Sequence, residues 1–325
     1  MSGLKVVFAF RIYRDIIDRL ESLEFRVAMY NGVRASREWL YKELADSDIL
    51  VANPITVVDK ELLNRAPKLK FIQIFGSGYE NVDLEECSKR NICVANAPDF
   101  IAKAVAEHVL ALVLAFLRNI IKGHEYVKSG KWIKGLIPRE FLSTSLNTKV
   151  IGIIGLGRVG SEVARIFKLL GAKVIYWSRR RKPEVEHALQ INYVPLEELL
   201  YRSDIIVICL AYTKETHHFI NEEKLRLMKP HTILVNVSRG RIVDTQALIK
   251  ALREKWIKAA LLDVFEEEPL PPNHPLLELN NVIFTPHIAG YTKEAMRETA
   301  EYVYNAIIAF SKGLKVNNLL VECTR

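Results

Sequence analysis

The chain has 325 residues, 50% of them hydrophobic and 26% charged, which is enough apolar material for two globular domains and excludes a disordered chain. Its formal net charge is +8 at pH 7, spread along the chain except for the cluster Arg179-Arg180-Arg181-Lys182, a distribution that suits small anionic partners and argues against nucleic acid. Cys87, Cys93, Cys209 and Cys323 lack C-x-x-C spacing and read as reduced structural residues, and no apolar stretch approaches membrane-spanning length, so a cytoplasmic protein with no membrane partner is expected.

In chain order, apolar runs at 5–10, 25–30, 49–52, 71–75 and 93–96 read as strands, with helical patterns between most of them, and predict one small open sheet. Residues 102–122 form a long amphipathic run with the stripe Val105, Val109, Leu112, Val113, Phe116 and Leu117, expected to bridge two domains. Residues 150–160 place a G-x-G-x-x-G loop behind an apolar strand and ahead of a helical pattern at 161–171, with another strand at 173–177. That context marks a dinucleotide-binding unit. Gly155 permits a tight turn, Gly157 lets backbone N–H groups approach a pyrophosphate, Gly160 lets the helix pack close, and the helix N-terminus holds the phosphates.

Strands at 205–210, 233–236, 260–263 and 282–285 bring this unit to six. A last helical pattern, 293–312, has no sheet of its own and is expected to return to the first domain. The expected fold is α/β, with two Rossmann-like or flavodoxin-like domains built on parallel sheets. A discontinuous substrate domain (1–100 and 291–325) would surround an inserted dinucleotide-binding domain (101–290).

About 20 residues beyond such a glycine loop, an Asp or Glu normally receives the ribose 2′-hydroxyl of NAD. Here the strand ends Tyr176-Trp177-Ser178-Arg179-Arg180, with no carboxylate. Ser178 and the guanidinium forks of Arg179 and Arg180 suit a 2′-phosphate, which makes NADP(H) the favoured cofactor and NAD(H) the alternative. Three further strand ends carry Asn236-Val-Ser-Arg239-Gly240, Asp263-Val-Phe-Glu-Glu-Glu268-Pro269 and Thr285-Pro286-His287-Ile-Ala-Gly290. Ligands of open α/β sheets lie outside the carboxyl ends of the strands, so the three segments are expected to converge. Arg239 can grip a carboxylate with two bonds, His287 can exchange the proton that accompanies a hydride, and Glu268 can orient the ring and favour its charged form. Singly, each has a bland alternative: a surface ion pair, a solvated acidic turn, a capping residue. Their joint occurrence behind a glycine loop favours chemistry.

The chain resembles the D-isomer-specific 2-hydroxyacid dehydrogenases along nearly its whole length, including APKLKFIQIFGSGYENVDLEE (66–86), AVAEHVLALVLA (104–115), GIIGLGRVG (152–160), NVSRGRIVD (236–244), LDVFEEEPL (262–270) and TPHIAG (285–290). The resemblance implies that Arg239 binds the substrate carboxylate and keto oxygen, that His287 is the general acid/base, and that Glu268 completes a dyad with it. It also implies cofactor contacts from Gly155, Leu156, Gly157, Arg158, Val159, Gly160, Thr213, Val237, Ser238, Arg239, Asp263, His287 and Ala289, with Asp263 on the nicotinamide carboxamide. Asn53 and the Gly76-Ser77-Gly78 loop would meet the substrate. Within the family the likeness is closest to glyoxylate/hydroxypyruvate reductases, which implies a small 2-keto acid substrate, closure over it, and a homodimer. Phosphoglycerate dehydrogenases usually carry an Arg-Ser pair where this chain has Asn53-Pro54. Ser77, Glu80 and Ala211-Tyr212 depart from common family residues and bear on the shape of the pocket.

Other residues are expected to be structural. His217 and His218 are adjacent and should diverge, which leaves no metal site. His108 reads as a packing or interdomain contact, and Trp132 as part of the family's dimer arm. The alternatives to a reductase of this kind are another D-2-hydroxyacid dehydrogenase, including one for 3-phosphoglycerate, or a non-catalytic dinucleotide sensor like the corepressors that share the fold.

Overall fold

Short, mostly apolar runs become the strands of two sheets in the computed structural model, which describes residues 3–97, 100–133, 135 and 137–323. The chain divides into two compact units, Met1–Ile101 with Thr292–Arg325, and Ala102–Tyr291.

The first unit runs β1 (Lys5–Phe8), α1 (Arg14–Glu21), β2 (Arg26–Met29), α2 (Arg37–Leu44), β3 (Ile49–Ala52), α3 (Lys60–Asn64), β4 (Phe71–Ile74), α4 (Leu84–Lys89) and β5 (Cys93–Ala95). Side chains of β3, β4 and β5 are buried on both faces, as expected of strands covered by helices on either side. Helix starts are chemically marked. Ser36 accepts from the N–H of Trp39, Asp59 from Leu62 and Asp83 from Glu86, each satisfying a donor the helix itself cannot pair.

The second unit contributes α5 (Ala102–Leu117), α6 (Ile120–Lys128), β6 (Val150–Ile154), α7 (Arg158–Leu169), β7 (Lys173–Trp177), α8 (Pro183–Leu189), β8 (Asn192–Tyr193), α9 (Leu196–Arg202), β9 (Ile205–Ile208), α10 (Glu222–Arg226), β10 (Ile233–Asn236), α11 (Thr245–Arg253), β11 (Ala259–Leu262) and β12 (Val282–Phe284). The chain then returns to the first unit with α12 (Lys293–Ser311) and β13 (Leu319–Val321). There α12 packs on β4, where the rings of Phe71 and Phe310 stack at 4.5 Å.

The second sheet has the order β12-β11-β10-β9-β6-β7-β8 and is parallel throughout. Counted within the unit this is 3-2-1-4-5-6-7, a doubly wound order whose direction reverses between β6 and β9. The first sheet, β13-β5-β4-β3-β1-β2, has the flavodoxin-like order with an added edge strand.

The structure corrects the reading of the fold in four places. The second sheet has seven strands, not six, because two-residue β8 is too short to show a period. The first sheet is not wholly parallel, since β13 pairs antiparallel with β5. The long run from residue 102 is two helices, broken where Asn119 takes the left-handed conformation (φ 53°). Among the described residues no single helix is long and apolar enough to cross a membrane; α5 and α6 reach that length only as a pair bent by 56°.

The fourth correction concerns the cysteines. Cys93 and Cys323 form a disulfide across β5 and β13, with Cα atoms 4.9 Å apart. Their separation of 230 in sequence hid the pairing, which requires the returning C-terminus to lie on β5. Cys87 and Cys209 are free thiols, each pushed up to about 12 by burial.

Candidate active site

The turn from β6 into α7 lies at the point where the sheet reverses its winding. Gly155 adopts φ +100°, and a Cβ there would stand 2.7 Å from the carbonyl oxygen of Cys209 just past β9. Only glycine meets both demands. A Cβ on Gly160 would overlap the carbonyl of Gly155, so the helix comes down on the turn as the motif requires. Gly157, the N-cap of α7, has open space before it, and Gly157 and Arg158 are exposed while Leu156 is buried. A helix N-terminus with free access is what a pyrophosphate needs, and these residues fit the phosphates of a dinucleotide.

At the end of β7 the basic run is sorted by its contacts. Arg181 donates to Glu186, which also accepts from the hydroxyl of buried Tyr176. Arg181 and Tyr176 together hold the Glu186 carboxyl down to about 2. Burial, with Glu186, pushes the Tyr176 hydroxyl up to about 12. Arg179 and Arg180 are exposed, and no acidic side chain follows β7 until Glu184. The Ser178 hydroxyl is largely buried and donates to the carbonyl of Arg180 at 2.7 Å, bracing the turn.

The strand-end residues Glu268 and His287 are brought together. Nδ1 of His287 donates to Oε2 of Glu268 at 2.6 Å, while Oε1 of Glu268 accepts from the N–H of Phe265 at 2.9 Å. Burial works against the Glu268 anion, but His287, the Phe265 amide and the charge of Arg239 outweigh it and hold the carboxyl below its ordinary range. Arg239 is thus close enough to influence Glu268, and its own Nη1 donates to the carbonyl of Ser238 at 2.7 Å. The Glu268 and His287 side chains remain 32% and 45% exposed, accessible to a ligand.

Three further residues hold this arrangement: Asn236 and Asp263, at the strand ends the sequence marked, and His108, read from the sequence as a packing contact. Asn236 is buried; its amide donates to the carbonyl of Arg239, and its oxygen accepts from the N–H and hydroxyl of Ser238. Asp263 is fully buried, accepts from Thr285 Oγ1 (2.6 Å) and from the N–H groups of Ile288 and Ala289 (2.9 Å each), and its carbonyl accepts from the N–H of His287. These bonds fix His287 at φ +55°, a conformation that costs a non-glycine residue energy unless its surroundings impose it. His108 on α5 lies 3.0 Å from Thr285 Oγ1 and 3.5 Å from Asp263, within the second unit. No spacing rule links residue 108 to residue 263; only the packing of α5 does.

Other candidates stand as follows. Thr213 donates its N–H to Thr216 Oγ1, Val237 and Ala289 are buried, and Ser238 and Val159 are half-buried. In the first unit the Asn53 amide donates to the carbonyl of Val33 and its oxygen accepts from Thr56, so it braces two loops. Gly76 adopts φ +134° and the carbonyl of Ser77 accepts from Asn96. The rings of His217 and His218, expected to diverge, stack at 4.0 Å because His218 turns into the left-handed region (φ 48°). Trp132 is exposed.

Residues 110–289 match the NAD-binding domain of the D-isomer-specific 2-hydroxyacid dehydrogenases. The chain belongs to that family. A curated glyoxylate reductase of Pyrococcus furiosus is 44% identical over 313 residues, 95% of this chain and 93% of that one. Among solved structures, a D-lactate dehydrogenase of Aquifex aeolicus with NAD and lactic acid superposes with a TM-score of 0.87 at 31% identity, over 98% of this chain and all of that one. An NADPH-dependent glyoxylate/hydroxypyruvate reductase of Sinorhizobium meliloti with NADP and malonate has a TM-score of 0.87 at 27% identity, over 100% and 99% of the two chains. This family member is an NAD(P)-dependent oxidoreductase acting on small 2-hydroxy acids and their 2-keto counterparts.

Proposed function

We propose that the enzyme reduces glyoxylate and hydroxypyruvate with NADPH in preference to NADH, giving in general the D-2-hydroxy acid. The observation that carries the chemistry is the 2.6 Å pair between His287 and Glu268 beside Arg239. The cofactor preference rests on Arg179 and Arg180, exposed at the end of β7 where a carboxylate would repel a 2′-phosphate. The substrate class rests on the glyoxylate reductases 40–47% identical to this chain.

When bound, the reduced nicotinamide supplies the hydride. The residues of the chain do the remainder. Arg239 binds the substrate carboxylate in two-point fashion and polarises the keto oxygen. The Glu268 carboxylate accepts from Nδ1–H and orients the ring of His287, and the protonated ring delivers a proton from Nε2 to the oxygen as the carbonyl is reduced. Asp263 holds the His287 segment and is assigned to the nicotinamide carboxamide. Leu156, Gly157, Arg158, Val159, Thr213, Val237, Ser238 and Ala289 are assigned to the dinucleotide, and Asn53 with the Gly76-Ser77-Gly78 loop to the substrate. The first unit would be the substrate domain, and the functional form a cytoplasmic homodimer.

The test is the initial rate of NADPH and NADH oxidation with glyoxylate, hydroxypyruvate, pyruvate and 3-phosphohydroxypyruvate, with His287→Ala in parallel. Fast NADPH turnover with the first two acids, lost in the variant, is the expected result. Preference for the phosphorylated acid, or dinucleotide binding without turnover, would refute the reading.

A further inference from the structure

Glu266 stands two residues before Glu268 and is bonded away from it. Its Oε1 accepts the N–H of Thr245, the first residue of α11, at 2.8 Å. Its Oε2 lies 3.2 Å from Nε2 of His218. His218 is anchored in turn, since its N–H donates to the carbonyl of Arg241 at 2.8 Å and Asp244 Oδ2 lies 4.0 Å from its other ring nitrogen. One carboxylate therefore joins the segments that follow β9, β10 and β11. Burial opposes its charge, but Thr245 and His218 prevail and the carboxyl is held below its ordinary range.

The backbone beneath it is in direct contact. A Cβ on Gly240 would overlap the carbonyl group of Phe265 and the nitrogen of Glu266, so the turn bearing Arg239 lies flat on the loop bearing Glu268. That loop then reaches His287 through Glu268, whose Oε1 is tied back to the Phe265 N–H. The titratable and charged groups facing the pair of glutamates are His218, with Asp244 behind it, on Glu266, and His287 and Arg239 on Glu268.

We propose that Glu266 is a positioning residue of the reductase: with His218 it clamps the loop that presents Glu268 to His287 and seats the Arg239 turn against it. The inference rests on the dyad described under Proposed function. Without the clamp the loop gains freedom at its middle, and the pair at its end loses its geometry. Displacements of about 1 Å in such positioning elements cost on the order of a hundredfold in rate.

The experiment compares the pH profiles of NADPH-dependent glyoxylate reduction by the wild-type protein, Glu266→Ala, Glu266→Gln, His218→Ala and Glu268→Gln, with NADPH affinity measured by fluorescence. Glu266→Ala is expected to lower kcat by about ten- to a hundredfold. It should also move the alkaline limb to lower pH, in the direction set by Glu268→Gln, with NADPH affinity retained. Glu266→Gln should restore most of kcat, because its oxygen still accepts from Thr245 and its amide still reaches the His218 ring. Wild-type kcat and an unmoved limb in Glu266→Ala, while Glu268→Gln shifts the limb, would overturn the clamp alone. An unmoved limb in Glu268→Gln would overturn the dyad, and the clamp with it. If Glu266→Ala does not fold, His218→Ala carries the test from the opposite side: a smaller loss with the same shift supports the clamp, and no change overturns it.

Discussion

The two sheets are built from the same material, short buried runs of Ile, Leu and Val paired in parallel, yet they end differently. In the first unit the strand ends lead into loops braced by amide contacts such as Asn53 on Val33 and Asn96 on Ser77, and the returning C-terminus is pinned by Cys93–Cys323. In the second unit the ends of β10, β11 and β12 carry a connected charged network: Arg239, Asp263, Glu266, Glu268 and His287, with His108 reaching it from α5. The comparison teaches that strand cores set the fold, while the proposed chemistry lies in a polar network at the carboxyl ends of strands.

Four measurements would break or sharpen this contrast. His287→Ala should lower kcat by about 10² to 10⁴-fold, the usual contribution of a positioned general acid, with dinucleotide affinity retained in a fluorescence titration. Cys323→Ser tests the other unit. Opening a crosslink of this span should cost about 2–4 kcal/mol of stability, read as a lower Tm with the reaction rate unchanged. A rate loss comparable to the loss in stability would erase the distinction between the units.

Gly240→Ala should destabilise the second unit by about 1–3 kcal/mol through overpacking against the Phe265 backbone. Gly157→Ala, placed in open space, should leave Tm nearly unchanged and weaken dinucleotide binding. Equal melting temperatures for the two variants would contradict the packing described. The smallest effect concerns acid stability. The Glu268 carboxyl is held low in the folded state, so its contribution is present above its ordinary pKa and is lost as pH falls through the depressed value. Glu268→Gln should therefore flatten the acid side of a stability-versus-pH curve, and an unaltered slope there would argue against the pairing.

The sequence by itself determined the parallel α/β class, because unbroken apolar runs of four alternating with helical periods can be buried only under helices on both faces. It also determined the glycine turn, whose geometry is a local property readable from spacing, and marked Arg239, Glu268 and His287 as strand-end candidates. The tertiary structure alone decided what depends on distant segments meeting: β13 on β5, Cys93 with Cys323, His108 on Thr285, and Glu266 between Thr245 and His218. It also decided that Arg181 turns to Glu186 while its neighbours Arg179 and Arg180 stay exposed. Periodicity says which face of an element is buried, but the partner of a side chain is fixed only when packing closes the chain around it.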